Sequence, residues 1–193
     1  MSGYTPTELD DIQAKWDLRF PPDLVVLYRE RRRVVADEKY GSLDWTDTPD
    51  EKIRDALGWP LEGFLFDIRQ GLWWPEWGDM PAGLDLRAEK LRAIFAEAPK
   101  LIPVCGHRYI PDTPHESGNP IFSVWQMDVI HYGANLDHYA GRENRVTLNA
   151  DSEWPPLKPI PFWSRAVAFN NERFADGGGF AFLNRDGVLP GGT

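Results

Sequence analysis

The chain has a single cysteine, Cys105, among its 193 residues. No internal disulfide can form, and nothing points to an oxidising compartment. No apolar run approaches the ~20 residues that a membrane-crossing helix needs. The first residues, MSGYTPTELDD, lack the basic start and apolar stretch of a signal peptide. The expectation from these absences is a cytoplasmic protein with no membrane contact. Basic residues are also short: 21 Lys and Arg stand against 30 Asp and Glu, for a net charge of −9. That disfavours nucleic acid as a ligand, because phosphate contacts need a basic surface. There is no internal repeat and no low-complexity tract of any length.

What is present is apolar and aromatic. Hydrophobic residues make up 42% of the chain, with nine Trp and ten Phe, enough for the core of one medium domain. Gly and Pro, 17 of each, imply many turns and argue against an all-helical bundle. The charge is unevenly placed: residues 34–83 carry a net −7, whereas residues 1–33 are neutral. An acidic middle segment attracts a basic partner by steering and complementarity, although acidity also serves solubility alone.

Thr5-Pro6-Thr7-Glu8 is a helix start with a capping box and Pro at the first position. Leu9, Ile12 and Trp16 then share one face. Pro21-Pro22 ends that helix and opens a second, with Leu24, Val25, Leu27 and Tyr28 inward. Thr48-Pro49-Asp50-Glu51 repeats the capping pattern, and a short helix to Leu57 should stop at Gly58. Residues 59–83, with four Trp and three Pro, read as too broken for a long helix. Asp85 is placed to cap a helix with Leu91, Ile94 and Phe95 inward and Leu84 or Leu86 at its start. Leu101 to Cys105 is a buried strand, residues 106–120 a loop, and Ile121 to Trp125 an alternating strand paired with Asp128 to Tyr132 across Gln126-Met127. Ala134 to Arg142 is a short helix with Leu136 and Tyr139 inward. EWPPLKPIPFW is irregular or extended, Asp176 to Gly179 a break, and Phe180 to Leu183 a late strand. The connections between strands are too short for parallel crossovers, so the expected fold class is α+β with an antiparallel sheet of a few strands.

Three segments, RFPPDLVVLYRE (19–30), APKLIPVCG (98–106) and NPIFSVWQMDVIHYGANLDHY (119–139), taken in this order, resemble the SUKH superfamily. That group holds fungal cell-wall synthesis regulators and many bacterial toxin-immunity proteins. The resemblance covers residues 1–145, with an acidic, Trp-rich insertion at about 34–83 that is poorly matched and a Pro/Gly-rich extension at 146–193 with no counterpart. Where the family places an Asn-Gly-type turn after its second helix, this chain runs Arg31-Arg32-Arg33 into Val34-Val35. The resemblance implies a non-catalytic, protein-binding α+β domain without cofactor, most simply an immunity-type protein that covers the working surface of a basic toxin domain. A scaffold without a toxin partner is the alternative in the same family.

Within the insertion, Trp73, Trp74 and Trp77 with Glu76 and Asp79 form an aromatic-acidic cluster suited to binding a partner; the plainer role is for the indoles to cap the core. His107, Asp112 and His115 offer a possible ligand set for a metal-dependent hydrolase, but their spacing matches no strong metal motif, and Pro-rich loops hold such residues for turns. Arg108 is expected to brace that loop by pairing with a carboxylate. Cys105 closes an apolar strand as a small hydrophobe rather than a nucleophile. His131 and His138 have no Ser or Cys partner in a nucleophilic setting. No residue set is arranged to break a bond, and no metal or cofactor is implied.

Overall fold

The computed structural model describes residues 2–35, 41–143 and 154–175. Their architecture is α+β, with helices on both faces of a four-stranded antiparallel sheet. Helix α1 (Pro6–Trp16) starts as its sequence directs. Thr5 Oγ1 accepts the Glu8 N–H at 3.2 Å, and Glu8 Oε2 accepts the Thr5 N–H at 2.7 Å, closing the capping box. Leu9 and Ile12 are buried and Trp16 half-buried. Helix α2 (Pro22–Glu30) opens on its Pro and buries Leu24 and Tyr28.

Helix α3 runs from Asp50 to Arg69, so the stop expected at Gly58 does not occur, and the first part of the supposedly broken 59–83 segment is helical. Thr48 is not its cap: the Thr48 hydroxyl accepts the Asp44 N–H at 3.1 Å instead, and the cap position is Pro49 with no side-chain hydrogen bond. Pro60 lies inside the helix and leaves the Ala56 carbonyl without its i+4 amide. The Tyr109 hydroxyl donates to that carbonyl at 3.0 Å. Helix α4 (Leu84–Glu97) begins after Gly83 without a side-chain cap, so Asp85 is not the cap. It sits in the first turn, where a carboxylate complements the helix dipole. Leu91 is buried, Ile94 and Phe95 are half-buried, and Leu84 and Leu86 are exposed.

The strands β1 (Leu101–Cys105), β2 (Arg108–Pro111), β3 (Ile121–Trp125) and β4 (Asp128–Gly133) form a meander in chain order. Strand β2 occupies part of the expected 106–120 loop. Four residues between a Gly and a Pro are too few to show alternation, but Gly106 at φ +54° permits the tight turn that pairs Cys105 with Arg108. Helix α5 (Leu136–Glu143) follows β4 and buries Leu136 and Tyr139. Gly133 is required there, since a Cβ on it would lie 2.8 Å from the Tyr139 Cβ.

The sheet separates two cores. Ile102, Val104, Ile110 and Ile121 pack with α1, α2, α5 and Val34, Val35 and Trp45. Tyr109, Phe122, Val124 and Val129 pack with α4, Trp74 and a further helix, α6 (Trp163–Ala175). That helix, not anticipated from the Pro-rich run before it, contributes Trp163, Ala166 and Val167. Part of the 146–193 extension is therefore built into the second core. The break at Asp176–Gly179 and the late strand at Phe180–Leu183 lie outside the described residues. Helix α3 joins both cores, with Ile53 in the first and Phe64, Leu65 and Ile68 in the second. Among the described residues no helix is long and apolar enough to cross a membrane.

Candidate functional site

Between its ends, α3 passes the end of the sheet that carries the β1–β2 and β3–β4 turns. Trp59, Gly63 and Asp67 are spaced four apart and so form one stripe of the helix. They meet three successive residues of the second turn. The Trp59 and Trp125 rings lie 5.3 Å apart with their planes at 56°. A Cβ on Gly63 would stand 2.8 Å from the Gln126 Cα, so the backbones touch there. Asp67 Oδ2 accepts the Met127 N–H at 2.8 Å. Gln126 holds φ +58°, a conformation two-residue hairpins usually give to Gly, and this three-point seat keeps it there. Asp67 is fully buried, and its Oδ1 finds no donor among the described residues. Burial pushes its carboxyl above the ordinary range, opposed by the Met127 N–H and the charge of Arg173.

At the outer end of the stripe is a notch of about 280 Å³ whose walls include Asp55, Trp59, His107, Tyr109 and Trp125. Trp59 is 41% exposed and Trp125 48% exposed, unusual for two indoles in contact. The His107 ring meets Trp125 edge-on at 5.5 Å and 76°. Burial, then the neighbouring Arg108 guanidinium, lowers the His107 pKa, with Asp128 opposing, so the imidazole is neutral at pH 7. Arg108 pairs with no carboxylate among the described residues; its guanidinium lies 4.3 Å from the Tyr132 ring centre and against His107. The expected carboxylate brace is replaced by stacking. Asp55 is exposed on the rim, and Glu62 and Phe66 continue the exposed surface along α3. Two open indole faces beside a carboxylate suit a cationic or aromatic side chain. Among the described residues that line it, the notch holds no nucleophile beside a base.

The five cluster residues from the sequence reading occupy different ground. Trp74 is only 2% exposed and belongs to the second core, with its ring 4.8 Å from Phe169 and 4.9 Å from Trp77. Trp73 and Trp77 are half-buried against the same core; the Trp73 indole donates to the Gly78 carbonyl at 2.8 Å. The Glu76 carboxylate is taken by Arg165 of α6, which also reaches Glu172 at 2.8 Å. Asp79 is exposed. Trp74 thus plays the plainer, core-capping part, and the segment clasps α6 to α3.

His107, Asp112 and His115 do not converge. His107 precedes β2 and the other two follow it, about 13 Å of strand apart at ~3.3 Å per residue. His115 Nε2 contacts the Phe20 carbonyl at 3.0 Å, and Asp112 accepts from Thr113. Among the described residues no three His, Cys, Asp or Glu side chains are grouped to hold a metal. Cys105 is buried.

Trp59, Trp125 and Asp55 were missed in sequence because ending α3 at Gly58 hides their shared register. The alternation that sets Trp125 against Phe122 and Val124 was the one available signal. No family model, curated protein or solved structure matches the chain.

Proposed function

We propose that the protein is a non-catalytic binding domain of the immunity type, similar to SUKH proteins, and that it neutralises a basic toxin domain by covering its working surface. The observation that carries this reading is the solvent-open Trp59–Trp125 pair beside the Asp55 carboxylate; Asp55 and Trp59 lie on the segment 34–83, which holds −7 of the chain's net −9. Trp is among the residues most enriched at binding hot spots, and adjoining exposed indoles make the kind of apolar patch that marks an interaction surface. An inhibitor of this kind buries roughly 1,600 Å² in total, far more than the notch, so α3 around Glu62 and Phe66 belongs to the same footprint. Acidic residues accelerate encounter with a basic partner and make it salt-sensitive.

The test is binding and neutralisation of toxin-like products encoded by neighbouring genes. Trp59→Ala and Trp125→Ala should each weaken binding by about 30-fold or more, the mark of a hot spot of at least ~2 kcal/mol. Asp55→Asn should lower the association rate and its salt dependence. Full neutralisation by the folded Trp59→Ala/Trp125→Ala double variant would refute this face, and failure to bind any neighbouring gene product would refute the immunity role.

A further inference from the structure

The notch beside the β3–β4 turn is small, about 280 Å³. Ligand pockets begin at roughly 300 Å³, so this one has room for the head of a single side chain. Its two indoles decide what shape that head has. The Trp59 and Trp125 ring centres are 5.3 Å apart, which is direct ring contact, so nothing can be sandwiched between them. Their planes are tilted at 56°, and both rings are open to solvent. A guest therefore lies flat on one open ring, with the other ring as a wall.

The charge beside these rings is negative and unspent. Asp55 stands four residues before Trp59 on α3 and Glu62 three after it, so both neighbour the indole along the helix surface. Both are exposed, and Asp55 also lines the notch. Neither carboxylate has an ion pair or a hydrogen bond among the described residues. The nearest cation, Arg108, is already occupied: its guanidinium lies 4.3 Å from the Tyr132 ring centre and against His107. Asp128 is close enough to act on His107 in the opposite sense. The notch thus offers an open aromatic face and a free carboxylate within one side chain's reach.

We propose that the notch takes one arginine side chain of the protein partner, its guanidinium stacked on an indole and its edge N–H groups on the Asp55 carboxylate. This rests on the reading of the Trp59–Trp125 face as a binding surface and names the group that it recognises. A guanidinium is planar and weakly hydrated, so it stacks at a half-open site and still donates along its edge. An ammonium is compact and strongly hydrated, and cannot do both. A quaternary ammonium is nearly spherical and is held by a cage of ring faces, which two touching rings do not make. A neutral aromatic side chain would leave both carboxylates unused.

The experiment is titration of the full isotope-labelled chain with a capped Gly-Arg-Gly peptide, followed by the Trp59 and Trp125 indole N–H resonances. The lysine and citrulline versions of the peptide and tetramethylammonium chloride are run at the same ionic strength. The arginine peptide should shift both resonances saturably in the millimolar range. Citrulline keeps the planar shape without the charge and should bind about tenfold more weakly or worse, the loss expected for one charge-assisted hydrogen bond. Lysine and tetramethylammonium should both bind clearly more weakly than arginine. Asp55→Asn should weaken the arginine peptide severalfold, and Trp59→Ala should abolish its saturable shift at Trp125. An unmoved resonance of the buried Trp163 indole shows that each variant is folded. No saturable shift, or equal binding of any of the three controls, would overturn the proposal. If a toxin partner binds through Trp59 and the arginine peptide does not bind, the arginine is refuted and the binding face stands. If the peptide binds and no neighbouring gene product does, the arginine stands and the immunity role is refuted.

Discussion

The Tyr109 hydroxyl lies 3.0 Å from the Ala56 carbonyl, the one carbonyl that Pro60 deprives of its helical amide. Burial pushes the Tyr109 phenol above its ordinary range, so it is protonated, and a donor, at neutral pH. A strand thereby repairs a helix, and this repair lets α3 continue past a residue that normally ends one. Tyr109→Phe should cost about 0.5–1.5 kcal/mol, since the part-buried carbonyl loses its donor. In a Pro60→Ala background the restored amide serves Ala56, and the same substitution should cost clearly less. Urea melts of the four proteins give the coupling energy directly. Strict additivity within about 0.5 kcal/mol would show that the two residues do not share this carbonyl.

Two glycines of α3 should respond oppositely to alanine. At Gly63 the new Cβ meets the Gln126 backbone at 2.8 Å, and backbone cannot swing away as a side chain can. Overpacking of this kind costs about 1–3 kcal/mol, against roughly 1 kcal/mol gained in helix propensity. At Gly58 the Cβ enters open space, so only the propensity gain of about 0.5–1 kcal/mol remains. Urea midpoints should therefore fall for Gly63→Ala and rise for Gly58→Ala. The same direction of change in both would contradict the seating of α3 on the β3–β4 turn.

These α3 contacts also explain what could be read in the sequence. The start of α1 was legible because its capping box is closed by residues three apart, β1 from its short continuous apolar run, β3 from its alternation and β4 as the hairpin partner of β3. The extent of α3 was not, because Gly58 and Pro60 are local breakers, and what holds the helix past them is distant in sequence: Tyr109, 53 residues beyond the Ala56 whose carbonyl it takes, and the turn at Gln126. Helix α6 lay hidden behind a Pro-rich lead, and β2 was too short to show a period. The candidate site suffered most: Asp55 and Trp59, His107, and Trp125 come from separate segments that only the register of α3 brings together. The Trp-rich segment drew attention by composition, yet Trp74 spends its surface on Phe64, Phe162 and Phe169.

Truncating the two kinds of Trp should separate stability from recognition. Trp74→Ala removes a buried ring from the second core and should cost about 3–5 kcal/mol. Trp59→Ala removes a ring already substantially in water and should cost less than half as much by urea denaturation. If Trp74→Ala leaves the melting temperature within a few degrees of the parent, the clasp between α3, Trp74 and α6 does not carry the second core.

Glu8 and Asp67 should shape the acid side of the stability profile in opposite senses. Glu8 is lowered to about 2, first by the Thr5 N–H of the capping box and then by Arg32. A depressed carboxyl stabilises the fold fully above its unfolded value, about 4.3, and loses that contribution as pH falls toward 2. The stability gap between the parent and Glu8→Gln should therefore be widest near neutrality and close on acidification. Asp67 is raised, chiefly by burial. The folded state then binds the proton more tightly than the unfolded chain, whose carboxyl titrates near 3.9, so stability is fullest below that pH and declines as pH rises through the folded value. Asp67→Asn retains an acceptor for the Met127 N–H and removes the titration. Relative to the parent, its urea midpoint should improve progressively from about pH 4 toward neutrality. A difference that is flat with pH, or that shrinks as pH rises, would mean that the Asp67 carboxylate is stabilised by charge in place, with Arg173 outweighing the cost of burial.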